Sequence, residues 1–445
     1  MSGFPFEKLP SEGDCWLTPP ATCAELRQEM DRAAERFREK KIAAGTRIHL
    51  PMRPDLACFA RLFALWRLGA IVTFEPLQRL LDTDSPPRLL RDFAASGQPG
   101  LILTTAGSTA RPKAVLHNAT RLLSRYATPG ASRRTLLFFP PHHIGGLHTA
   151  LYTLFAGGSL AAPRSLRPED VLRCVEQHAV ETLPVSPSFL RLALAGGAFD
   201  QFDLSSLKTV SFGSEPAGES LIAQVRRRLP RCRVVQTYGS TEAGILRVRG
   251  CDEGGGLAWR PDQGGDQVRI RDGHLEVRTE TSMLGYLNAD GEDPFTDDGW
   301  LKTGDRVEKC GEGYRILGRE SEMINVGGYK VAPAEVEAVA EQCPGVLAAT
   351  AYAAPHPLLG NVVGLRIVRS EFRDSSLGPR AGRQARNEGA EDEEDQLVPH
   401  VREFCWRRLP NHAAPVTIEV QRQEISEREF KKRRCGGRRA GSAPC

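Results

Sequence analysis

The sequence lacks the features of several protein classes. Its 11 cysteines form no Cys-x-x-Cys pair and no spacing typical of a zinc site, and an odd number of cysteines cannot all form disulfides within one chain. The amino-terminal residues contain no apolar core of the signal-peptide type. The longest apolar stretch, residues 57–68, contains Arg61 and Arg67, so the sequence predicts no membrane span. These absences favour a cytoplasmic protein with reduced thiols.

The overall composition is that of an ordinary globular protein. The chain has 445 residues, of which 40% are hydrophobic and 26% charged, and this length predicts two or three domains. The net charge of +4 is small for this length. It therefore gives no reason to expect nucleic acid or another polyanion as the main partner.

Helical and strand patterns alternate along the first half of the chain. Thr22 and Glu25 have the spacing of a capping box, and apolar residues recur at helical intervals as far as residue 41. Short apolar runs separated by helical patterns predict strands at residues 47–50, 70–74, 101–104, 135–139, 209–212 and 233–236. This alternation predicts parallel sheets in an α/β domain, whose ligands gather at loops beyond the carboxyl ends of the strands.

A loop rich in hydroxyl groups follows the third of these predicted strands. It contains Thr105, Gly107, Ser108, Thr109 and Lys113. Glycine allows close approach of the backbone to a ligand, hydroxyls and amides donate hydrogen bonds, and lysine supplies positive charge, which together suit a polyphosphate. The loop lacks the Gly-Lys-Ser/Thr ending of a Walker loop.

Residues 105–114 resemble the signature of the adenylate-forming superfamily, which includes acyl-CoA synthetases, peptide-synthetase adenylation domains and luciferases. That signature reads Thr-Ser-Gly-Thr-Thr-Gly-x-Pro-Lys-Gly, and here Ala106, Ala110 and Ala114 replace Ser, Gly and Gly. The resemblance implies that Lys113 contacts the β- and γ-phosphates of ATP.

Two further segments are similar to nucleotide-binding parts of that family. The run from Tyr238 to Glu242 resembles its adenine and metal loop. The resemblance implies that Tyr238 stacks on adenine, with Gly239 in the same cofactor loop, that Thr241 bonds phosphate, and that Glu242 holds Mg²⁺. Upstream, the family lines the adenine with backbone at the positions of three residues: Gly213, Ser214 and Glu215.

The segment around His143 corresponds to the family's acyl pocket. His143 and Gly145 fit the places of an aromatic or His residue and a glycine that wall the acyl group; a His bonding the backbone of a turn is the competing interpretation. Peptide synthetases usually carry an Asp in this segment to hold the substrate's ammonium group, and none is present. Since a buried ammonium without a counter-charge is costly, the sequence disfavours an amino-acid substrate.

Three motifs mark the junction with a small domain. Asp305 ends a Thr-Gly-Asp motif, and the resemblance implies that it accepts hydrogen bonds from the ribose hydroxyls, while Arg319 contacts ribose or phosphate. Ser321 falls at the hinge between the two domains. Gly327 and Gly328 lie in the loop that lines the thiol tunnel in relatives.

The basic segment near the end of the chain has two interpretations. Relatives carry their catalytic lysine in a Gly-Lys-x-x-Arg motif, and here Phe430 replaces the glycine while Lys431 and Arg434 keep the spacing. The resemblance makes Lys431 the lysine of the α-phosphate and the carboxylate, although Lys432 is its neighbour. The alternative is a basic tail for localisation or nucleic-acid binding.

The predicted architecture has two domains. Residues 1–318 form a large AMP-binding domain of stacked α/β sheets completed by a small β-barrel, and residues 322–445 form a smaller, mobile α+β domain. Residues 373–395 combine arginines with an acidic run and almost no apolar residues, so they are expected to be a disordered insertion.

The resemblance implies an acid–thiol ligase that uses ATP and Mg²⁺. A fatty or aryl carboxylic acid would form an acyl-adenylate, and CoA would then take the acyl group. Two alternatives remain: loading of an acyl or peptidyl carrier protein, and a catalytically impaired homologue, because alanines stiffen the phosphate loop at residues 110 and 114.

Overall fold

The structure is a computed structural model that describes residues 5–81, 86–105, 112–128, 130–251, 258–262, 265–289, 293–369 and 388–421. Its helices, numbered in chain order, are α1 (Cys23–Glu39), α2 (Leu56–Arg67), α3 (Leu77–Leu80), α4 (Arg88–Ala95), α5 (Ala119–Ser124), α6 (Ile144–Phe155), α7 (Pro168–Gln177), α8 (Pro187–Ala195), α9 (Glu219–Arg228), α10 (Pro333–Ala340) and α11 (Glu388–Trp406).

The strands are numbered in the same way. They are β1 (Asp14–Leu17), β2 (Pro20–Thr22), β3 (Arg47–His49), β4 (Ile71–Thr73), β5 (Gly100–Thr104), β6 (Ala114–Asn118), β7 (Arg134–Leu136), β8 (Ser159–Ala161), β9 (Thr182–Val185), β10 (Thr209–Phe212), β11 (Arg233–Gln236), β12 (Gly239–Ser240), β13 (Gly244–Ile245), β14 (Val248–Cys251), β15 (Ala258–Pro261), β16 (Gln267–Arg271), β17 (His274–Arg278), β18 (Gly285–Tyr286), β19 (Leu301–Cys310), β20 (Gly313–Arg319), β21 (Ile324–Val326), β22 (Tyr329–Val331), β23 (Val346–His356), β24 (Gly360–Arg369) and β25 (Thr417–Gln421).

A seven-stranded sheet carries the adenine side of the predicted site. Its order is β11-β10-β9-β7-β8-β1-β2, and every neighbouring pair except β1–β2 is parallel. Its apolar side chains, such as Leu183, Val210 and Phe212, are buried against those of α7, α8 and α9. Because parallel strands end at one edge, the loops after β7, β10 and β11 lie along that edge.

A five-stranded sheet carries the phosphate side. Its order is β18-β6-β5-β4-β3; β3, β4 and β5 run parallel, whereas β6 is antiparallel to both β5 and β18. Asp55 is the N-cap of helix α2, and its side chain accepts a hydrogen bond from the Cys58 backbone N–H at 2.7 Å. Phe59, Phe63 and Trp66 of this helix are almost completely buried in the core beside the sheet.

Two larger sheets and a two-stranded sheet, β12-β13, complete the described part of the chain. A six-stranded antiparallel sheet, β14-β15-β20-β19-β17-β16, forms where the sequence predicts a small barrel. After it, β21 to β25 form one sheet that packs against α10 and α11 in a separate hydrophobic core. The predicted fold class, α/β with a smaller α+β part after it, is confirmed.

The predicted insertion at residues 373–395 overlaps the beginning of α11. Residues 373–387 lie outside the described residues, but residues 388–395 form the first turns of α11. Farther along this helix, Leu397, Val401 and Cys405 recur at helical spacing and are buried in the core of the small sheet. The helix is therefore stabilised by packing that lies beyond the acidic run.

Candidate functional site

The hydroxyl-rich loop connects two antiparallel strands. The last pair of β5 and β6 is Thr104 with Ala114. Beyond it, the Thr105 N–H donates to the Lys113 carbonyl at 3.0 Å, and the Lys113 N–H donates to the Thr105 hydroxyl at 3.2 Å. These bonds hold the two ends of the loop together. Gly107, Ser108 and Thr109, which the sequence predicts to contact phosphate, lie outside the described residues.

Asn288 anchors the end of this loop, although no local sequence pattern indicates this role. Its side-chain oxygen accepts a hydrogen bond from the Ala114 N–H at 2.7 Å, and its amide nitrogen donates to the carbonyls of Pro112 and Leu80, both at 3.0 Å. These contacts fix the backbone on both sides of Lys113. The Lys113 ammonium group itself lies 4.7 Å from the centre of the Tyr286 ring.

Tyr238 is buried between two partners. Its ring stacks on Trp259, with the centroids 4.9 Å apart and the planes 10° from parallel. Its hydroxyl donates to the Asp305 carboxylate at 2.6 Å. Burial, with Asp305 as a further cause, raises the pKa of the Tyr238 hydroxyl well above its ordinary value. Since Trp259 covers one face of the ring, the predicted stacking on adenine would use the opposite face.

Asp305 and Arg319 face each other on adjacent strands. They are register partners of β19 and β20, and their side chains approach to 3.4 Å. Asp305 is 7% exposed. Its burial raises the pKa of its carboxyl group above the ordinary value, against the opposing effects of Arg319 and of the hydroxyl of Tyr238. The paired charges leave a carboxylate and a guanidinium side by side, which suits recognition of a ribose and a phosphate.

A buried histidine forms a hydrogen bond with the backbone of the loop that carries Thr241 and Glu242. His117, on β6, is completely buried, and its Nε2 lies 2.8 Å from the Thr241 carbonyl oxygen. Because a carbonyl only accepts, Nε2 must carry the proton. Burial lowers the pKa of His117 to about 4, so the imidazole is neutral. The Glu242 carboxylate accepts a hydrogen bond from the Tyr286 hydroxyl at 3.1 Å.

The segment after β10 approaches the same loop. A Cβ on Gly213 would lie 2.5 Å from the Thr237 hydroxyl oxygen, so only glycine fits there. Ser214 is exposed, with φ of 70°. The Glu215 carboxylate accepts a hydrogen bond from the Ser188 N–H at 2.6 Å, at the start of α8. This contact stabilises the helix amino terminus and directs the Glu215 side chain towards the protein.

Two histidines lie at the beginning of α6, where the sequence predicts an acyl pocket. His143 is exposed, and its ring centroid is 4.4 Å from that of the half-buried His142. Burial lowers the pKa of His142, against the opposing effect of Glu75. Glu75 is exposed and accepts a hydrogen bond from the Thr104 hydroxyl at 3.1 Å. An acidic group therefore approaches the predicted pocket from β4, but an exposed carboxylate is a weak anchor for an ammonium group.

The predicted hinge and thiol-tunnel residues lie at the surface. Ser321 is exposed in a 3₁₀ turn between β20 and β21. The preceding Glu320 contacts Lys330 and lies 3.2 Å from Arg306, and these contacts lower the pKa of its carboxyl group to about 2, with Lys330 as the largest cause. Gly327 and Gly328 form the exposed turn of the β21–β22 hairpin at φ of 56° and 96°, which side chains rarely adopt.

The remaining predictions concern metal, membrane and the basic tail. Within the described ranges, no group of three or more His, Cys, Asp or Glu side chains could hold a metal ion. A single carboxylate is nevertheless compatible with Mg²⁺, which is commonly bound by one or two carboxylates together with substrate phosphates. No helix in the described part of the chain is long and apolar enough to cross a bilayer. Lys431 lies outside the described residues, which end at Gln421.

Curated proteins similar in sequence are ligases. Indoleacetate–CoA ligase of Aromatoleum aromaticum is 30% identical over 305 residues, which cover 63% of this chain and 59% of that protein. The fatty acid–[acyl-carrier-protein] ligase MmaC of Mycobacterium marinum is 30% identical over 339 residues, covering 66% and 62%. The chain thus spans about three fifths of the length of these relatives.

Solved structures share the fold over nearly the whole chain. The anthranilate CoA ligase AuaEII in complex with anthranoyl-AMP superposes with a TM-score of 0.77 at 17% identity, covering 94% of this chain and 92% of that one. ATP-bound MatB from Rhodopseudomonas palustris gives 0.75 at 20% identity, covering 94% and 93%. Residues 75–271, which include the Lys113 and Glu242 loops, match the family described as AMP-binding enzyme. The chain is therefore similar in sequence to AMP-binding ligases and shares the fold of these solved structures.

Proposed function

We propose that the protein is an acid–thiol ligase that activates a fatty or aryl carboxylic acid with ATP and transfers the acyl group to CoA. The observation that carries this proposal is that Lys113 and Glu242, which come from distant loops and have opposite charges, both contact Tyr286. A cation beside a carboxylate is the arrangement that a polyphosphate with its Mg²⁺ requires.

The first half-reaction forms a mixed anhydride. One oxygen of the substrate carboxylate attacks the α-phosphorus of ATP, the bond to the bridging oxygen breaks, and pyrophosphate leaves with its electron pair. Lys113 would neutralise the β- and γ-phosphates, and Glu242 would hold the Mg²⁺ that shields them. Tyr238, Asp305 and Arg319 would hold the adenosine. In this account catalysis comes mainly from positioning and from charge neutralisation.

The second half-reaction forms the thioester. The thiolate attacks the acyl carbonyl carbon, and AMP leaves with the former carboxylate oxygen. We propose residues 322–445 as a small domain that turns about Ser321, so that the Gly327–Gly328 turn replaces Lys431 beside the acyl group. The exposed position of that turn supports a surface able to meet a second partner.

The identities of the carboxylic acid and of the thiol acceptor are proposed from the relatives. Both relatives described above are named for carboxylic acids, one with CoA and one with an acyl-carrier protein. CoA is the first choice, and a carrier-bound phosphopantetheine thiol is the alternative that the second relative favours. A cytoplasmic location belongs to the same proposal.

Pyrophosphate exchange over a panel of acids tests the proposal. Labelled pyrophosphate should enter ATP in the presence of one or more fatty or aryl acids and fail to do so with amino acids. Exchange supported by amino acids alone would contradict the substrate class. No exchange with any acid, although the protein binds ATP, would favour the catalytically impaired homologue. Addition of CoA or of a phosphopantetheinylated carrier then identifies the thiol by the thioester released.

A further inference from the structure

Tyr286 is fixed to the strand that follows the phosphate loop. It pairs with Val115 in the β18–β6 ladder. On either side, the Leu284 N–H donates to the Leu116 carbonyl at 2.7 Å and the Leu287 N–H donates to the Ala114 carbonyl at 2.8 Å. The backbone of Tyr286 therefore cannot shift without also moving β6.

The side chain of Tyr286 contacts both Glu242 and Lys113. Its hydroxyl donates to Glu242 at 3.1 Å, and the ammonium group of Lys113 lies 4.7 Å from its ring centre. A lysine at this distance from an aromatic ring is attracted to the negative face of the ring. One neutral, half-buried side chain thus orients both charges and cancels neither.

The same segment also holds the backbones that carry these charges. The Met283 N–H donates to the Glu242 carbonyl at 2.7 Å, and Asn288 bonds the backbone on both sides of Lys113. Residues 283–288 therefore connect the Lys113 loop to the Glu242 loop. Within this segment, the described side chain that contacts both the Lys113 ammonium group and the Glu242 carboxylate is that of Tyr286.

We propose that Tyr286 is a positioning residue of the Mg-ATP site: its hydroxyl orients Glu242 towards the metal, and its ring orients Lys113 towards the phosphates. This inference rests on the proposed function. Tyr286 is not assigned contact with the reacting atoms. It acts through the two charged groups, so its loss should affect nucleotide and metal more than the carboxylic acid.

Binding measurements test the two contacts separately and need no acid substrate. Tyr286→Phe removes only the hydroxyl, and Tyr286→Leu removes the hydroxyl and the ring. We expect Tyr286→Phe to weaken ATP binding about tenfold in the presence of Mg²⁺ and little in its absence, since a hydrogen bond to a charged group is lost. Tyr286→Leu should weaken binding under both conditions.

Tyr314→Phe is the matched control. Tyr314 packs against the same hydrophobic cluster as Tyr286, and its ring lies beside Trp259. Tyr314→Phe should bind Mg-ATP with the same affinity as the wild type. A loss of affinity equal to that of Tyr286→Phe would show a general packing effect and overturn the proposal.

Kinetics and a double-mutant cycle complete the test. In pyrophosphate exchange, Tyr286→Phe should raise the Mg²⁺ concentration for half-maximal rate and the KM for ATP, leaving the KM for the acid unchanged. Added to Glu242→Gln, it should have little further effect on Mg-ATP affinity, because the hydroxyl acts through Glu242. Equal penalties in both backgrounds would overturn the proposal. Wild type that binds Mg-ATP but exchanges no pyrophosphate would contradict the proposed function while leaving the binding test of Tyr286 valid.

Discussion

Arg191 of α8 and Glu341, at the end of α10, form a buried ion pair across the junction between the large and small parts of the chain. The Arg191 Nη2 lies 2.9 Å from the Glu341 carboxylate, and the side chains are 6% and 10% exposed. Removing one partner of such a pair leaves an uncompensated buried charge, which commonly costs about 3–5 kcal/mol. This pair therefore stabilises the observed arrangement of the two parts.

Arg191→Met should loosen that arrangement. We expect faster limited proteolysis near the exposed Ser321 and a lower Tm. The matched control is Arg228→Met, because Arg228 pairs with Asp200 but both side chains are about half exposed, at 53% and 52%. Exposed pairs contribute little, so this control should behave as the wild type does. Equal proteolysis of all three proteins would show that the Arg191–Glu341 pair does not hold the junction.

Asp305→Asn should weaken ATP binding and change the pH dependence of protein stability. Replacing a charged acceptor should raise the KM for ATP about ten- to hundredfold, since a hydrogen bond to a charged group contributes about 1.5–3 kcal/mol. The folded-state pKa of Asp305 is raised by burial. The free energy of unfolding therefore decreases as pH rises from about 4, which is the pKa of an aspartate carboxyl group in the unfolded chain.

The stability of the Asn variant relative to the wild type should consequently increase with pH over that window. Asn keeps an acceptor for the Tyr238 hydroxyl, which limits other effects of the substitution. Urea unfolding of both proteins at several pH values measures the difference. A difference in unfolding free energy that does not change with pH would contradict the predicted titration of Asp305.

His117 should make the protein acid-sensitive. Burial lowers its folded-state pKa to about 4, so its contribution is present above the unfolded value near 6.5 and is lost as pH falls towards 4. The loss amounts to about 3 kcal/mol by that linkage. His117→Gln keeps a donor for the Thr241 carbonyl but does not titrate, so its stability should fall less over this range. His49→Gln, at an exposed position, should retain the full loss; an unchanged pH profile for His117→Gln would contradict the prediction.

Lys431 and Gly327 should affect different half-reactions. Lys431→Ala should lower the rate of adenylate formation about 10²–10³-fold, the usual cost of one positioned group. Thioester formation from pre-formed acyl-adenylate and CoA should continue. Gly327→Trp should leave adenylate formation intact and block thioester release.

Each of these variants has a close control. Lys432→Ala tests the neighbouring lysine, and Gly327→Ala introduces the strain of a side chain at φ of 56° without the bulk of tryptophan. If Lys432→Ala loses adenylate formation and Lys431→Ala does not, the assignment of Lys431 is wrong. If Gly327→Ala blocks thioester release as strongly as Gly327→Trp, backbone strain explains the effect.

Elements with strong local signals could be predicted from the sequence. The predicted bounds of β10 and β11 agree with the structure, because compact runs between turn residues define them. The capping box of Thr22 and Glu25 is present at the start of α1. The pattern does not predict strand β6, because His117 and Asn118 are polar although both are buried. His117 is buried where its Nε2 contacts the Thr241 carbonyl oxygen.

The residues that connect the site were harder to predict. Tyr286 and Asn288 contact loops that lie far away in the sequence, and no local pattern shows such contacts. Arg191 lies on an ordinary helix, and its partner Glu341 is 150 residues away in the sequence, so the pair could not be inferred. The hydrogen bond between the Glu215 carboxylate and the start of α8 is likewise not indicated by the motif around Glu215. The sequence therefore indicates candidate motifs, whereas the tertiary contacts that support them cannot be inferred from it.

The fate of the carboxylate oxygen is the most direct test of whether the protein forms an acyl-adenylate and then a thioester. An acid that supports pyrophosphate exchange is labelled with ¹⁸O at both carboxyl oxygens and incubated with the wild-type protein, ATP, Mg²⁺ and CoA. Since the carboxylate attacks the α-phosphorus and the thiol then displaces that oxygen, the account predicts one ¹⁸O atom in the AMP formed and one in the thioester. Unlabelled AMP, or ¹⁸O in inorganic phosphate released together with ADP, would contradict it.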